Sequence, residues 1–328
     1  MTATAAIEVV PGGEPAAALA LPADLLVAAR NYVASAKAKR TREAYACAWR
    51  GFEQWCAAHG RGALPASGET VALYLAHRAG NGCKPATIEV DLSAIAQAHK
   101  VAGHPSPRQE PAVLAMRQGI RRELGTAHRK KAPLLPAMLR AISGALPATR
   151  RGTRDRALLL LGFAAALRRS ELVALELADL VFTDDGIELT IRRSKTDQEG
   201  AGEKIGVPFG SEAATCPVRS VRLWLDAARL ERGPVFREVN RHGHVGEAPL
   251  TGHSVARIVK RAAREAGLDA ANLSGHSMRA GLATAAIKAG KPAHVVMRQT
   301  RHKSVQVFQG YVRDADLFGE NAAAGIGL

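Results

Sequence analysis

One segment of the C-terminal half combines side chains that can handle a phosphate group. His276 and Arg279 lie three positions apart, which places them about one helical turn apart on the same face. His302 follows, and Tyr311, the one tyrosine of residues 134–328, comes nine positions after it. Imidazoles exchange protons, a guanidinium binds two phosphate oxygens, and a tyrosine hydroxyl can be a nucleophile. These types favour attack on a phosphate, although a tyrosine near a C-terminus is more often a packing residue.

Two basic residues far upstream, Arg168 and Lys195, fit the same site. Arg168 shares a helix face with Glu171, three positions later. Arginines that folding brings together repel each other, so Arg168 beside Arg279 makes sense with an anion between them. We therefore predict one phosphate-binding cluster. The alternatives are that Lys195 is a solvated hairpin lysine and Glu171 a plain helix-surface carboxylate.

The composition of the whole chain favours a helical protein that meets a polyanion. The 328 residues carry a net charge of +15 and a pI of about 10.2, and nucleic acid is the commonest partner of a folded protein this basic. The alternative is a merely basic, soluble surface. Hydrophobic residues make up 47% and aromatic residues only 4%, which favours helical cores. The first basic residue is Arg30, and no apolar run has membrane-spanning length, so we expect a cytoplasmic protein without a membrane partner.

The chemistry-bearing residues must be positioned by a mostly helical fold in two domains. Residues 1–22 are rich in Ala, Gly and Pro and predict a flexible tail. Residues 23–124 show helical periodicity throughout, and the basic stretch 125–133 predicts an extended linker. Residues 134–328 predict further helices and one small antiparallel sheet, made of a hairpin at 179–191 and a third strand at 204–208. Residues 241–244 are expected to lie in a loop.

Basic residues recur at the ends of the predicted helices and in the linker, where a DNA backbone could contact them. The alternative for each is a solvated face. The predicted DNA-binding residues are Lys39, Arg40, Arg42, Lys84, Arg121, Arg122, Lys130, Lys131, Arg193, His253, Arg257 and Lys260. Within the predicted helix 251–266, His253 is the candidate base reader, and Arg257 or Lys260 are candidate phosphate or base contacts.

Other chemistries lack the residues that they need. Residues 241–244 offer two imidazoles without a third ligand at metal spacing, so we expect no metal site. The segment after Gly275 lacks the closing glycine of a nucleophile elbow, which argues against a serine hydrolase. No glycine-rich phosphate loop or strand–helix alternation is present, which argues against a nucleotide-dependent enzyme. No cofactor is therefore expected.

In their order and spacing these motifs resemble the tyrosine recombinase (phage integrase) family. Leu167–Leu172 resembles the first arginine box of that family, and Ser274–Gly281 its His-x-x-Arg box. Arg193–Thr196 resembles the hairpin that carries the family's lysine, and His302–Tyr311 the final histidine-to-tyrosine segment. The resemblance spans about residues 25–320. It implies a helical, SAM-like core-binding domain and a mostly helical catalytic domain with a small antiparallel sheet, together forming a C-shaped clamp on DNA.

The resemblance also implies a reaction without metal or ATP. Tyr311 would attack the scissile phosphate, forming a 3′-phosphotyrosine and a free 5′-hydroxyl. Because a tyrosine hydroxyl has an ordinary pKa of about 10, attack at neutral pH needs help. His276 would accept the proton or position the hydroxyl, and Lys195 would protonate the departing 5′-oxygen.

The remaining residues of the resemblance would hold the phosphate. Arg168 and Arg279 would bind its non-bridging oxygens as charge grows in the transition state. His302 would donate a further hydrogen bond to it. Glu171 would orient the site through hydrogen bonds to His276 or to neighbouring backbone.

The family resemblance implies partners as well. They are double-stranded DNA with inverted-repeat arms and further copies of the chain, which is a monomer in solution or a dimer on one site and a tetramer in the synaptic complex. The apolar residues of about 314–328 would dock in trans on a neighbouring protomer. A bacterial, phage or plasmid origin is expected. The alternatives are a type IB topoisomerase, a telomere resolvase with the same chemistry, and a non-catalytic DNA-binding protein.

Overall fold

The computed structural model describes residues 37–127, 131–192, 202–302 and 304–315, together with residues 24, 27, 28 and 32. The chain divides into two compact units, 1–129 and 130–328. Within the described ranges, no helix combines the length and the apolar composition needed to cross a membrane.

The first unit is built from four described helices around one apolar core. The helices are α1 Lys39–Ala58, α2 Gly68–Gly80, α3 Pro85–Val101 and α4 Pro111–Leu124, with a 3₁₀ turn at Pro107–Gln109. The Ser67 hydroxyl caps α2 by accepting the Thr70 N–H. Phe52 of α1 is fully buried in this core, and its ring centroid lies 5.0 Å from that of Tyr74.

The second unit holds the residues that could do chemistry. Its helices are α5 Pro136–Ala145, α6 Arg150–Ala164, α7 Arg169–Ala174, α8 Pro217–Ala228, α9 Gly252–Glu265, α10 His276–Lys288, α11 Ala293–Thr300 and α12 Val305–Ala315. The fold is therefore mainly helical, as predicted. Sequence analysis missed α5, although Pro136 at its first position is a helix-start signal. The last described helix, α12, continues past Tyr311.

Two small antiparallel sheets accompany these helices in the described part of the second unit. The strands β1 Leu180–Phe182, β2 Gly186–Ile191 and β3 Glu203–Pro208 form the predicted sheet, in the order β1–β2–β3. The prediction of a single sheet was wrong, because β4 Arg237–Val239 pairs with β5 Val245–Pro249 on either side of the expected loop 241–244. The Asn240 side chain accepts the backbone N–H groups of His242 and His244, which closes a tight turn between β4 and β5.

Close backbone contact fixes the helix that carries His276 and Arg279. The chain before α5 runs along α10, where the Leu134 N–H donates to the Ser277 carbonyl at 2.8 Å. Gly281 makes this approach possible, since a Cβ there would lie 2.0 Å from the Leu134 carbonyl oxygen. The glycine of the predicted His-x-x-Arg box is thus explained by packing.

Gly281→Ala should destabilise the second unit. Because the added methyl would meet backbone rather than a flexible side chain, we expect a loss of about 3 kcal/mol of unfolding free energy. Urea unfolding of the two proteins measures it. Gly144→Ala is the control, since Gly144 is an exposed residue of α5 and no atom lies within 4 Å of an added Cβ. Equal stabilities of the two variants would contradict the contact.

Candidate active site

The turn between α6 and α7 is the scaffold of the candidate site. After α6 the chain passes through Ala165, Ala166 and Leu167, which are all fully buried, and Ala166 adopts a left-handed φ of 48°. The turn is closed by backbone bonds from Ala166 to the Phe163 carbonyl and from Leu167 to the Gly162 carbonyl. It leaves the Ala166 carbonyl free to accept side-chain donors from α10 and from the end of α11.

Arg168 and Glu171 form a short ion pair at the start of α7. Arg168 is the N-cap residue, and its backbone N–H donates to Glu171 Oε2 at 2.9 Å. Its guanidinium Nη1 donates to Glu171 Oε1 at 2.6 Å. Burial alone would raise the pKa of Glu171, but the charge of Arg301 and the bonds from Arg168 outweigh burial and lower it. Glu171 is therefore a buried carboxylate, and the surface alternative was wrong.

Glu171 bonds to neighbouring backbone, as sequence analysis expected, by accepting the Arg168 N–H. The second side-chain partner is Arg301, whose Nη2 donates to Glu171 Oε2 at 2.7 Å. Sequence analysis missed Arg301. Its only local signal is that it directly precedes His302.

Arg279 is the second predicted arginine, and the structure buries it beside Arg301. Its Nη1 donates to the Ala166 carbonyl at 2.9 Å, and Arg301 Nη2 lies 3.4 Å from the same oxygen. Arg279 Nη2 is buried and has no hydrogen-bond partner among the described residues. Burial and the nearby charges of Arg168 and Arg301 lower the pKa of Arg279 to about 10. The cluster thus gathers positive charge that one carboxylate does not balance.

His276 and Tyr311 meet on the exposed side of this cluster. His276 is the first residue of α10, and Tyr311 lies on α12, which packs against α10. The imidazole Nε2 is 3.1 Å from the tyrosine hydroxyl, which is hydrogen-bonding distance. Two residues separated by 35 positions are therefore in contact, as a base and its nucleophile would be.

His302 completes the group around Tyr311. The two ring centroids are 5.4 Å apart, and His302 Nδ1 lies 2.7 Å from the Thr300 hydroxyl oxygen. Burial, followed by the charges of Arg279 and Arg168, lowers the pKa of His302 to about 4. His302 is therefore neutral at neutral pH.

The depressed pKa of His302 predicts a loss of stability in mild acid. The unfolded chain takes up a proton near pH 6.5 and the folded chain only near 4, so stability is full above 6.5 and falls as the pH decreases towards 4. Urea unfolding at pH 7 and pH 5 measures this effect. The stability difference between the wild type and His302→Gln should shift against the wild type at pH 5. An unchanged difference would contradict the assignment.

Most of the other predicted site residues are exposed, and three of them lie outside the residues that the structure describes. Lys195, Arg193 and Lys130 lie outside the described residues. Of the described strands, β2 ends at Ile191 and β3 begins at Glu203. Gln299 Nε2 donates to the carbonyls of Ala164 and Gly206, which ties β3 to the end of α6. The remaining predicted DNA-binding residues are exposed except for Lys260, which is half-buried: Lys39, Arg40, Arg42, Lys84, Arg121, Arg122, Lys131, His253, Arg257 and Lys260.

Known proteins share both the sequence and the fold. The profile of the phage integrase family matches residues 134–317. An integrase/recombinase XerD homolog of Selenomonas ruminantium is 41% identical over 303 residues, which make up 91% of this chain and 88% of the relative. A lambda integrase dimer bound to a COC′ core site superposes with a TM-score of 0.59 at 18% identity, covering 91% of this chain and 96% of that one. A lambda integrase tetramer bound to a Holliday junction gives 0.53 at 18% identity, covering 76% and 65%.

The two structures show the fold, and the sequence matches show the family. The profile covers more than half of the chain, and the Selenomonas relative is matched along most of its length. This chain belongs to the phage integrase family, the tyrosine recombinases.

Proposed function

We propose that the chain is a site-specific DNA recombinase that cleaves and rejoins strands through a covalent 3′-phosphotyrosine at Tyr311 and through a Holliday junction. The observation that carries this proposal is the contact of the Tyr311 hydroxyl with His276 Nε2, at 3.1 Å, beside a buried group of arginines. A nucleophile, a proton acceptor and a binding site for anionic oxygens are thereby combined in one place.

In the cleavage step the tyrosine oxygen forms a bond to phosphorus, and the bond from phosphorus to the 5′-oxygen breaks. The phenolic proton passes to His276 Nε2, which lies 3.1 Å from that hydroxyl. Lys195 supplies the proton that the 5′-oxygen takes up as it leaves. Rejoining reverses these transfers when the 5′-hydroxyl of a partner strand attacks the phosphotyrosine. Since the phosphotyrosine conserves the bond energy of the diester, the proposal needs no ATP.

The two arginines supply the positive charge for the reaction. Arg279 has a buried Nη2 without a partner among the described residues, and a buried unpaired donor costs about 1–3 kcal/mol. A non-bridging phosphate oxygen is the partner that would satisfy it. The Arg168 guanidinium is held by Glu171 through Nη1, and it supplies the second positive charge for the phosphate. The proposal uses no metal ion, because these fixed cations stabilise the growing negative charge.

His302 would donate a hydrogen bond to the same phosphate. A neutral imidazole has one N–H, so donation through Nε2 requires Nδ1 to act as an acceptor. The Thr300 hydroxyl, 2.7 Å from Nδ1, can donate to it. The same hydroxyl lies 2.7 Å from the Val296 carbonyl, so its orientation sets which nitrogen of His302 holds the proton.

The proposed partners are duplex DNA with inverted-repeat arms and further copies of this chain. The exposed basic residues of the first unit and the exposed His253 and Arg257 of α9 would contact the arms, with His253 reading a base. The lambda integrase structures that share the fold contain a dimer on a core site and a tetramer on a Holliday junction. We propose the same course here, with a dimer on each site, a tetramer in synapsis and residues 314–328 docking in trans. The enzyme would act on DNA in the cytoplasm.

A recombination assay tests the proposal and separates it from a type IB topoisomerase. The target is first selected by binding from random duplexes, and two copies are placed on one supercoiled plasmid. A recombinase yields deleted or inverted plasmids when both copies are present and none with a single copy. Relaxed plasmid without recombinants would indicate a topoisomerase, and binding without either product would indicate a non-catalytic DNA-binding protein. Affinity should decrease with salt by a logarithmic slope of about 0.9 per phosphate contacted.

A further inference from the structure

A third arginine, Arg301, lies between the two arginines to which the reaction is assigned. Its Nη2 donates to Glu171 Oε2, while Arg168 donates to Oε1 of the same carboxylate. Arg301 Nη2 also lies 3.4 Å from the Ala166 carbonyl that accepts from Arg279. Arg301 therefore shares one acceptor with each of the two arginines.

The backbone conformation and the buried donors of Arg301 lower the stability of the folded chain. The residue ends α11 with a left-handed φ of 55°, a conformation that glycine adopts more readily than any other residue. Its side chain is 2% exposed, and its Nε and Nη1 are buried without a hydrogen-bond partner among the described residues. It also adds a like charge beside Arg279. Arg168 already pairs with Glu171, so Arg301 is not needed to neutralise a bare carboxylate. Strain and unpaired donors of this kind concentrate at functional sites.

We propose that Arg301 is a positioning residue for strand cleavage. It fixes the Glu171 carboxylate through Oε2, and so holds the Arg168 guanidinium on Oε1 in the orientation that binds the scissile phosphate. Nη2 of Arg301 is bonded to Glu171, and Arg301 acts through that carboxylate. The residue also joins α7 to the turn that carries His302. This inference rests on the proposed cleavage reaction.

The test is the single-turnover cleavage rate on a duplex with a nick in the spacer, from which the released fragment cannot religate. Arg301→Gly keeps the left-handed backbone without strain and removes the guanidinium. We expect it to cleave about 100-fold more slowly, because a small misplacement of a binding group costs about that factor. Its DNA affinity should stay within about threefold of the wild type. Arg301→Lys keeps the charge without the planar fork and should be slowed about tenfold.

Arg229→Gly is the matched control. Arg229 ends α8 with a left-handed φ of 51°, is exposed, and lies on an element that contributes no residue to the site. Both glycine variants relieve the same backbone strain, but only one of them removes a buried guanidinium. Arg229→Gly should cleave within about twofold of the wild type.

A double-mutant cycle with Glu171→Gln separates positioning through Glu171 from general damage. If Arg301 acts through Glu171, the double variant should be no slower than the slower single variant. The inference would be overturned if the double variant lost the product of the two single losses in cleavage rate. It would also be overturned if Arg301→Gly cleaved at the wild-type rate. If Arg301→Gly does not fold, the same cycle with Arg301→Lys gives the decision. A wild type that does not cleave would refute the proposed function itself, whereas these outcomes concern Arg301 alone.

Discussion

Tyr311→Phe should form no covalent complex with DNA, a loss of at least about 10⁴-fold in cleavage, because the nucleophile is removed. The substitution removes the oxygen that attacks phosphorus and leaves the ring that packs near His302. DNA affinity should therefore stay within about twofold of the wild type. Denaturing gels of labelled nicked duplex measure attachment, and gel shifts measure binding.

The control for Tyr311 is Tyr74→Phe. Tyr74 is a buried tyrosine of the first unit, whose pKa is raised to about 12 by burial and by the charge of Asp91. Its hydroxyl has no part in the proposed reaction, so attachment should be unchanged. Covalent complex formed by Tyr311→Phe would mean that another residue is the nucleophile.

Arg279→Met should slow cleavage about 10³-fold or more without loss of stability. Removing one donor to a developing oxyanion costs about 10²–10³ in rate, and Arg279 contributes a full charge in addition. Its unpaired Nη2 and its proximity to Arg168 and Arg301 disfavour the folded state, so methionine should leave the free energy of unfolding equal or higher. Single-turnover cleavage and urea unfolding measure the two effects.

Arg154→Met should lose stability and keep its cleavage rate, the opposite of Arg279→Met. Arg154 is also buried, but it donates to Asp155 and to the Arg237 carbonyl, so its bonds hold the fold. We expect a loss of about 3 kcal/mol in stability and near-normal cleavage below the unfolding transition. If Arg279→Met lost stability as Arg154→Met does and cleaved normally, Arg279 would be a structural arginine.

The site could be predicted from sequence where the signal is local. His276 and Arg279 are separated by one helical turn, and Arg168 and Glu171 likewise, so spacing alone places each pair on one face. Contact between the two pairs depends on tertiary packing. From the sequence, this contact was indicated only by the order of the motifs that resemble the family. Arg301 could not be found in this way, because its partner Glu171 lies 130 positions upstream.

The second sheet was missed although its signal is present in the sequence. Asn240 and Gly243 lie between Val239 and Val245, which is the pattern of a short hairpin. In the sequence, His242 and His244 were weighed as metal ligands and not as part of a hairpin. Their backbone N–H groups donate to the Asn240 side chain, which closes the turn of the hairpin. The roles assigned to Lys195 and to the exposed basic residues stay predictions.

The position and polarity of the covalent link test the proposed reaction most directly. Wild-type protein is incubated with a nicked duplex of the selected site, the complex is digested with protease, and the peptide attached to the oligonucleotide is identified by mass spectrometry. We predict attachment of a 3′-phosphate to Tyr311 and a free 5′-hydroxyl on the other fragment. Attachment through a 5′-phosphate, or to a residue other than Tyr311, would contradict it.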